Sequence, residues 1–262
     1  MEPLLYERIF QLQKTHWWYR SRERFLDVLL RELPKDGKVL DAGCGPGSML
    51  HYLGRYGKVT GVDSYAPALA MASSHFAGTL IQGELNSLPF DDGTFSLVVA
   101  CEVLYHRNVA DVADVVRELT RVIKPGGTLL IIDSAYTSCS SDHDLTAHGV
   151  RRFTKVELVN VMRIAGLEVV RATYAYALLL PLVWLLRRCK SLFGVRGEPG
   201  EELHETWGPL NSLVIGWFSI EAYLAGLVGI PFGLSVQVLG HKYNTTDSEF
   251  KILVSDEEGD AI

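Results

Sequence analysis

The residues with the clearest chemical potential form the stretch Asp41-Ala42-Gly43-Cys44-Gly45-Pro46-Gly47, in which three glycines alternate behind an aspartate and a short apolar run. Alternating glycines let the backbone turn sharply and let a ligand approach it closely. A dinucleotide fingerprint G-x-G-x-x-G would need glycine at position 48, where Ser48 stands, and a phosphate-cradling loop would end in Gly-Lys-Ser/Thr, which is missing. Asp63 closes a second apolar run, "KVTGVD", where a carboxylate can accept hydrogen bonds from both hydroxyls of a ribose. Cys44 and Ser64 lie in the same two turns. After the third run, "GEL" offers Glu84 to an exocyclic amine and Leu85 as the wall of a base. After the fourth, "CEVLYHR" brings Cys101, Glu102, Tyr105 and His106 together. His106 is the best-placed general base or acceptor contact. An equally simple reading has it tying down the following turn, and Tyr105 and Glu102 share that ambiguity.

Those residues need a frame. Residues 38–42, 58–63, 78–83, 95–101 and 127–133 are short, rich in β-branched side chains and nearly free of charge, as strands covered on both faces must be. Between them, Val112, Val115, Val116, Leu119, Val122 and Ile123 repeat at three and four, which predicts a crossover helix. A second helix is expected in "FTKVELVNVMRIAG", with Thr154 and Glu157 at capping-box spacing and Gly166 at its end. This alternation implies an α/β, doubly wound Rossmann-like sheet, with ligands at the C-terminal strand ends.

In order and spacing, "VLDAGCGPG", "GVD", "GELNSLPFDDGTFSLVVACEVLYH" and "LTRVIKPGGTLLIID" resemble the class I S-adenosylmethionine-dependent methyltransferases. The likeness is to the small-molecule branch with the ubiquinone- and menaquinone-type enzymes, and it covers residues 36–135. It implies a seven-stranded, mostly parallel sheet with an antiparallel last strand, and S-adenosylmethionine as cofactor. Gly43, Gly45 and Gly47 would pass the methionine part, with Asp41 anchoring the turn. Asp63 would hold the ribose, Glu84 and Leu85 would frame the adenine, and Cys101 and Glu102 would lie beside the amino-acid portion and the substrate. The sequence departs from the family at Ser96 and at Glu84, where aspartate is usual. The first change looks structural, while the second keeps the charge and leaves the adenine contact less certain.

Ahead of the first strand, "HWWYRSRERFLDVLLREL" predicts a helix packed through Phe25, Leu26, Leu29 and Leu30. The resemblance implies a lid, with Arg22 gripping the cofactor carboxylate and Trp17, Trp18 or Tyr19 offering an aromatic face to the sulfonium. The plainer alternative makes both tryptophans core anchors. His16 reads as a surface or hydrogen-bonded residue. His143 and His148, in "SDHDLTAHG" after the fifth strand, would border the acceptor site. Flanking Asp142 and Asp144 raise the thought of a metal, but a ligand-rich loop without fixed geometry reads as solvated, and no metal is expected.

The chain thus divides into an N-terminal helical lid (1–35), a cofactor-binding core (36–176 and 231–254) and an insertion (177–230) before the last strand, placed as a substrate cap. The insertion contains "ALLLPLVWLLRRCKSLFG" and a second apolar run carrying Glu221. Pro181 breaks the first run, which is about half the length of a membrane span, and a carboxylate would be costly in hydrocarbon. An apolar acceptor pocket, a peripheral membrane face and a subdomain with its own core all fit the composition.

At 262 residues, 48% hydrophobic and with net charge −6, the chain can bury a full core and lacks the cationic excess that nonspecific nucleic-acid binding needs. Its four cysteines are far apart, suggesting neither a zinc site nor disulfides, and "MEPLLYERIF" does not read as a secretory signal. The expectation is a cytoplasmic protein, with peripheral membrane contact allowed by the insertion, that methylates a small apolar, lipid-linked or isoprenoid acceptor. The alternatives are an O-methyltransferase of a sugar or secondary metabolite and a catalytically silent cofactor-binding partner. A nicotinamide oxidoreductase is disfavoured by Ser48.

Overall fold

The computed structural model describes residues 3–139, 148–192 and 208–243. Two helices, α1 (Pro3–Leu12) and α2 (Trp17–Leu29), precede β1 (Gly37–Ala42), α3 (Leu50–Leu53), β2 (Gly57–Asp63), α4 (Ala66–Ser73) and β3 (Thr79–Gln82). The chain continues through β4 (Phe95–Cys101), α5 (Val112–Val122) and β5 (Ile123–Ser134), then α6 (Lys155–Ile164) and β6 (Leu167–Ala175). Two more helices, α7 (Leu179–Leu192) and α8 (Gly208–Leu227), lead to β7 (Ser235–Lys242).

The seven strands lie in the order β3-β2-β1-β4-β5-β7-β6. The first five are parallel, and β7 runs antiparallel to both β5 and β6, as expected. Strand order reverses between β1 and β4, so their C-terminal ends open the crevice where such sheets take ligands. The two-residue period splits each central strand between two cores. Leu40, Val98, Leu129 and Ile131 pack under α5 and α6, while Val39, Leu97, Val99, Leu130 and Ile132 pack with α2 and α3. Both faces are covered, which is why these strands are apolar throughout.

Local signals set the helix ends. Asp111 caps α5, accepting from the Ala113 amide at 2.7 Å, and α6 opens with both bonds of the Thr154–Glu157 capping box. Gly166 stops α6 at φ +86°. Lys242 at the end of β7 donates to the Thr120, Arg121 and Ile123 carbonyls, at 2.8, 3.2 and 2.7 Å, and so ties the last strand to the C-terminus of α5. Ser96 is structural, its hydroxyl bonding the Lys38 carbonyl of β1 at 2.9 Å.

The segment between β6 and β7 carries α7 and α8. Helix α8 lies on α2 over a third, smaller core of Phe25, Ala175, Tyr176, Phe218, Ala222 and Ala225. Close approach is essential there, because a Cβ at Gly226 would run into Val28. Burying Phe25 and Phe218 contributes roughly 1.5–3 kcal/mol each. Glu221 is buried on the same side, and its Oε1 accepts from the Ala177 amide at 2.8 Å just before α7. Its other oxygen has no partner, and burial raises its pKa.

Candidate active site

The crevice at the strand-order reversal holds a cavity of about 470 Å³. Its floor is the β1–α3 loop. The Gly43 and Cys44 amides both donate to the Val62 carbonyl, at 2.8 and 2.9 Å. The next amide, Gly45, donates to Asp63 Oδ2 at 2.8 Å, and Asp63 Oδ1 accepts from Tyr65 at 2.9 Å. Burial raises the Asp63 pKa, and the amide donations oppose that rise. Glycine is required at Gly43, where φ is +79° and a Cβ would strike Val103. At Gly45, φ is +52° and a Cβ would meet only Tyr6.

Two expectations about this loop need correction. Gly47 does not line the cavity. With φ +90°, it faces Leu50, His75 and Ala72 beneath the turn, so it serves packing. Asp41 does not hold the turn either, since Val62 and Asp63 accept the loop's amides. Its Oδ2 is buried without a partner, and burial, with the Asp63 charge next, raises its pKa to about 7.

Cys44, Ser64, Glu84 and Leu85 all line the cavity, as do Cys101 and Glu102 at the end of β4. Burial pushes the Cys101 thiol up to about 12, which leaves it a neutral wall rather than a nucleophile. Glu102 takes φ +54°, a strained setting for a residue with a Cβ. Its amide is fixed by the Ile132 carbonyl at 2.7 Å, and its carboxylate accepts from Arg22 Nη2 at 2.8 Å. Arg22 and Tyr19 reach the cavity from α2. Trp17 and Trp18 do not, contrary to the sulfonium-cage expectation. Trp18 stacks on Tyr176 at 4.4 Å and Trp17 on Phe218 at 5.8 Å, so both serve as core anchors. His16 is buried and caps α2, its Nδ1 accepting from the Trp18 amide at 3.2 Å.

Beyond Glu102 the wall continues through Tyr105, His106, Val109 and Val115. His106 lines the cavity, while its amide and carbonyl close the turn through Val103 and Val109. Burial, followed by surrounding positive charge that includes His148 and Arg107, lowers its pKa to about 4. His148 does not line the cavity and stands behind His106, with ring centroids 5.8 Å apart. Pairing of residues 105–107 with 148–150 holds it there, through Val150 N to Tyr105 O and Arg107 N to His148 O. His143 lies outside the described residues. Among those described, no cluster of three metal-ligating side chains occurs and all four cysteines are free.

Several residues here were not singled out from the sequence. Asp133, fully buried at the end of β5, accepts from the Leu104 and Tyr105 amides at 2.9 and 3.2 Å and so holds the turn that carries Tyr105 and His106. The aspartate that ends "LLIID" at a strand terminus was its signal. Tyr6 and Ile9 of α1 also wall the cavity, with Tyr6 stacked on Tyr65 at 5.0 Å. Leu5, Ile9 and Leu12 at helical spacing were theirs. No described residue between 177 and 230 lines the cavity.

A ligand with a ribose diol, an adenine and an amino-acid tail fits this donor set. Asp63 keeps lone pairs beyond the two amide bonds it accepts, Glu84 offers an acceptor, Leu85 an apolar face, and the loop presents bare backbone at Gly43 and Gly45.

Sheet order, glycine loop and acidic strand end define a Rossmann-like nucleoside-cofactor domain. Residues 40–131 match the family described as "Methyltransferase domain". That segment is therefore similar to a methyltransferase domain over about a third of the chain. The chain is similar to a 2-phytyl-1,4-naphtoquinone methyltransferase of Thermosynechococcus vestitus, with 35% identity over 42% of this chain and 52% of the relative. It is also similar to a demethylmenaquinone methyltransferase of Bacillus cereus, with 30% identity over 48% and 55%. The chain thus spans about half the length of the curated relatives it matches. In fold it is similar to a Haloferax volcanii complex between the Trm112 methyltransferase activator and a methyltransferase. There the TM-score is 0.58 and the identity 21%, over 89% of this chain and 93% of that one.

Proposed function

We propose that the protein transfers a methyl group from S-adenosylmethionine to a small apolar acceptor of the quinone or isoprenoid-linked kind. The observation that carries this is the composition of the single cavity wall. Lining residues of the kind a nucleoside cofactor needs, at Gly43, Gly45, Asp63 and Glu84, continue into Tyr105, His106, Val109 and Val115, with Asn108, Asp111 and Asp114 beside them. The two relatives are named as methyltransferases of 2-phytyl-1,4-naphtoquinone and of demethylmenaquinone, which supports a quinone-type acceptor.

When bound, the cofactor supplies an electrophilic methyl on a sulfonium, so the protein's part is orientation and exclusion of water. Such positioning is worth effective molarities of about 10⁵–10⁸ M at best. Asp63 and Glu84 fix the nucleoside. Arg22, whose charge is balanced by Glu102, faces the same cavity as the binder for a carboxylate tail. Tyr6 and Ile9 on one side and Tyr105 and Val109 on the other wall the space from water.

A second reading, methylation of a hydroxyl, is favoured by one observation. His106 lies at the cavity with a neutral imidazole, so it can accept a hydrogen bond from an acceptor hydroxyl, although burial makes it a weaker base than free imidazole.

Calorimetry with S-adenosylhomocysteine and transfer of labelled methyl from S-adenosylmethionine test both readings. A demethylated naphthoquinol should be labelled and a catechol should not. Label on the catechol that is lost in His106→Ala would establish the second reading. Absence of S-adenosylhomocysteine binding would sink both.

A further inference from the structure

Helix α8 has two contrasting faces. Phe218, Glu221, Ala222 and Ala225 lie buried towards α2, whereas Leu210, Leu213, Trp217, Ile220, Leu224 and Leu227 are exposed, Leu213 to 71%. The exposed set recurs at alternating steps of three and four. It therefore forms one straight apolar stripe of about 26 Å at 1.5 Å per residue. A water-facing helix would place charge there, yet α8 contains no Lys, Arg or Asp, and its only acid, Glu221, is turned inward. Leu182, Trp184 and Leu185 of α7 are exposed as well, and the sequence carries Arg187, Arg188 and Lys190 just after them.

Three occupants would suit an apolar stripe: hydrocarbon with α8 crossing it, a second copy of the chain, or a bilayer surface. Helix α8 is long and apolar enough to cross a membrane. However, its packing on Phe25 and the bond from Ala177 to Glu221 hold it lengthwise on the domain. A two-helix seam with a second copy would use the three-and-four spacing, but such seams are rimmed by charged pairs. The positions flanking this stripe are Val214, Gly216, Glu221, Tyr223 and Val228, and the one charged residue among them, Glu221, is buried rather than free to pair across a seam. Trp217 and Tyr223 are instead the amphipathic rings found at lipid headgroup level.

We propose that this stripe docks the protein on an anionic lipid bilayer. Helix α8 lies in the membrane plane with its apolar side in the acyl boundary, and the sequence run Arg187, Arg188, Lys190 supplies positive charge that suits anionic headgroups. The proposal goes beyond methyl transfer and does not rest on it.

The test is flotation of the full chain with phosphatidylcholine vesicles, with and without phosphatidylglycerol, in the absence of any acceptor. The wild type should float with the mixed vesicles and bind about tenfold less tightly to phosphatidylcholine alone. The triple variant Leu213→Ser, Ile220→Ser, Leu224→Ser should stay in the dense fraction while keeping its Tm and its binding of S-adenosylhomocysteine. Failure of the wild type to float would overturn the proposal, as would equal flotation of the triple variant. A concentration-dependent dimer that the triple variant abolishes would overturn it too, in favour of a second copy. If the triple variant fails to fold, Ile220→Lys alone decides, with undiminished flotation counting against the bilayer. Cofactor binding is read separately, so loss of the functional reading and loss of this one give different results.

Discussion

The carboxylate of Asp63 accepts the Gly45 amide at 2.8 Å with one oxygen while its other oxygen holds Tyr65, so one side chain at the end of β2 fastens both loops of the crevice. Asp63→Ala removes both bonds and the ribose acceptor together. S-adenosylhomocysteine binding should weaken roughly 100-fold or more, since hydrogen bonds to a charged group contribute about 1.5–3 kcal/mol each. Isothermal titration calorimetry checks this, and an unchanged Kd would refute the assignment.

His106 gives a pH signature. Its folded pKa of about 4 lies below the ordinary 6.5, so the neutral imidazole is the form the fold accommodates. The stability it contributes is fully present above pH 6.5 and is lost as pH falls from there through 4. Melting curves of wild type and His106→Gln should therefore diverge across that window, the variant losing less on acidification. Parallel curves would contradict the burial of this ring. Subtracting the variant matters, because burial pushes Asp41 and Asp133 up to about 7, which acts in the opposite sense.

Arg22 is almost completely buried and has Glu102 beside it at 2.8 Å. Glu102→Gln leaves the guanidinium without its countercharge and should cost about 1–3 kcal/mol, less than a fully enclosed pair because Glu102 is part-exposed. Urea denaturation measures the loss. Arg22→Lys keeps the charge and gives up the two-pronged geometry, so it should weaken S-adenosylhomocysteine binding more than it lowers stability.

Asp133 acts through the turn it holds. Asp133→Ala leaves the Leu104 and Tyr105 amides without their acceptor. The expected outcome is a severalfold higher acceptor KM with S-adenosylhomocysteine affinity retained, read by steady-state kinetics and calorimetry. A fall in cofactor affinity of the same size would place Asp133 elsewhere in the site.

The sheet was legible because strands covered on both faces must be apolar at every position, and helix α6 because Thr154 and Glu157 make a bond pair local in sequence. The tight turn at Gly43, with φ +79°, was legible because glycines alternate directly after a strand. Long-range partners decided the rest. Trp17 and Trp18 precede Tyr19 and Arg22 on one helix, yet stacking on Tyr176 and Phe218, far along the chain, sends the tryptophans away from the cavity. Asp41 looked like the anchor because it precedes the glycines. The parallel register that sets Ala42 beside Val62 brings Asp63 to the turn instead.

The two ends of the cavity are built from different materials. Around Gly43 and Gly45 the surface is largely main chain, fastened by the Val62 carbonyl and Asp63. Past Glu102 the lining includes Tyr105, His106, Val109 and Val115, together with Asn108, Asp111 and Asp114. Substitutions at Tyr105, His106, Val109 and Val115 leave that main-chain floor untouched, so the two ends of the cavity can change independently of each other in sequence.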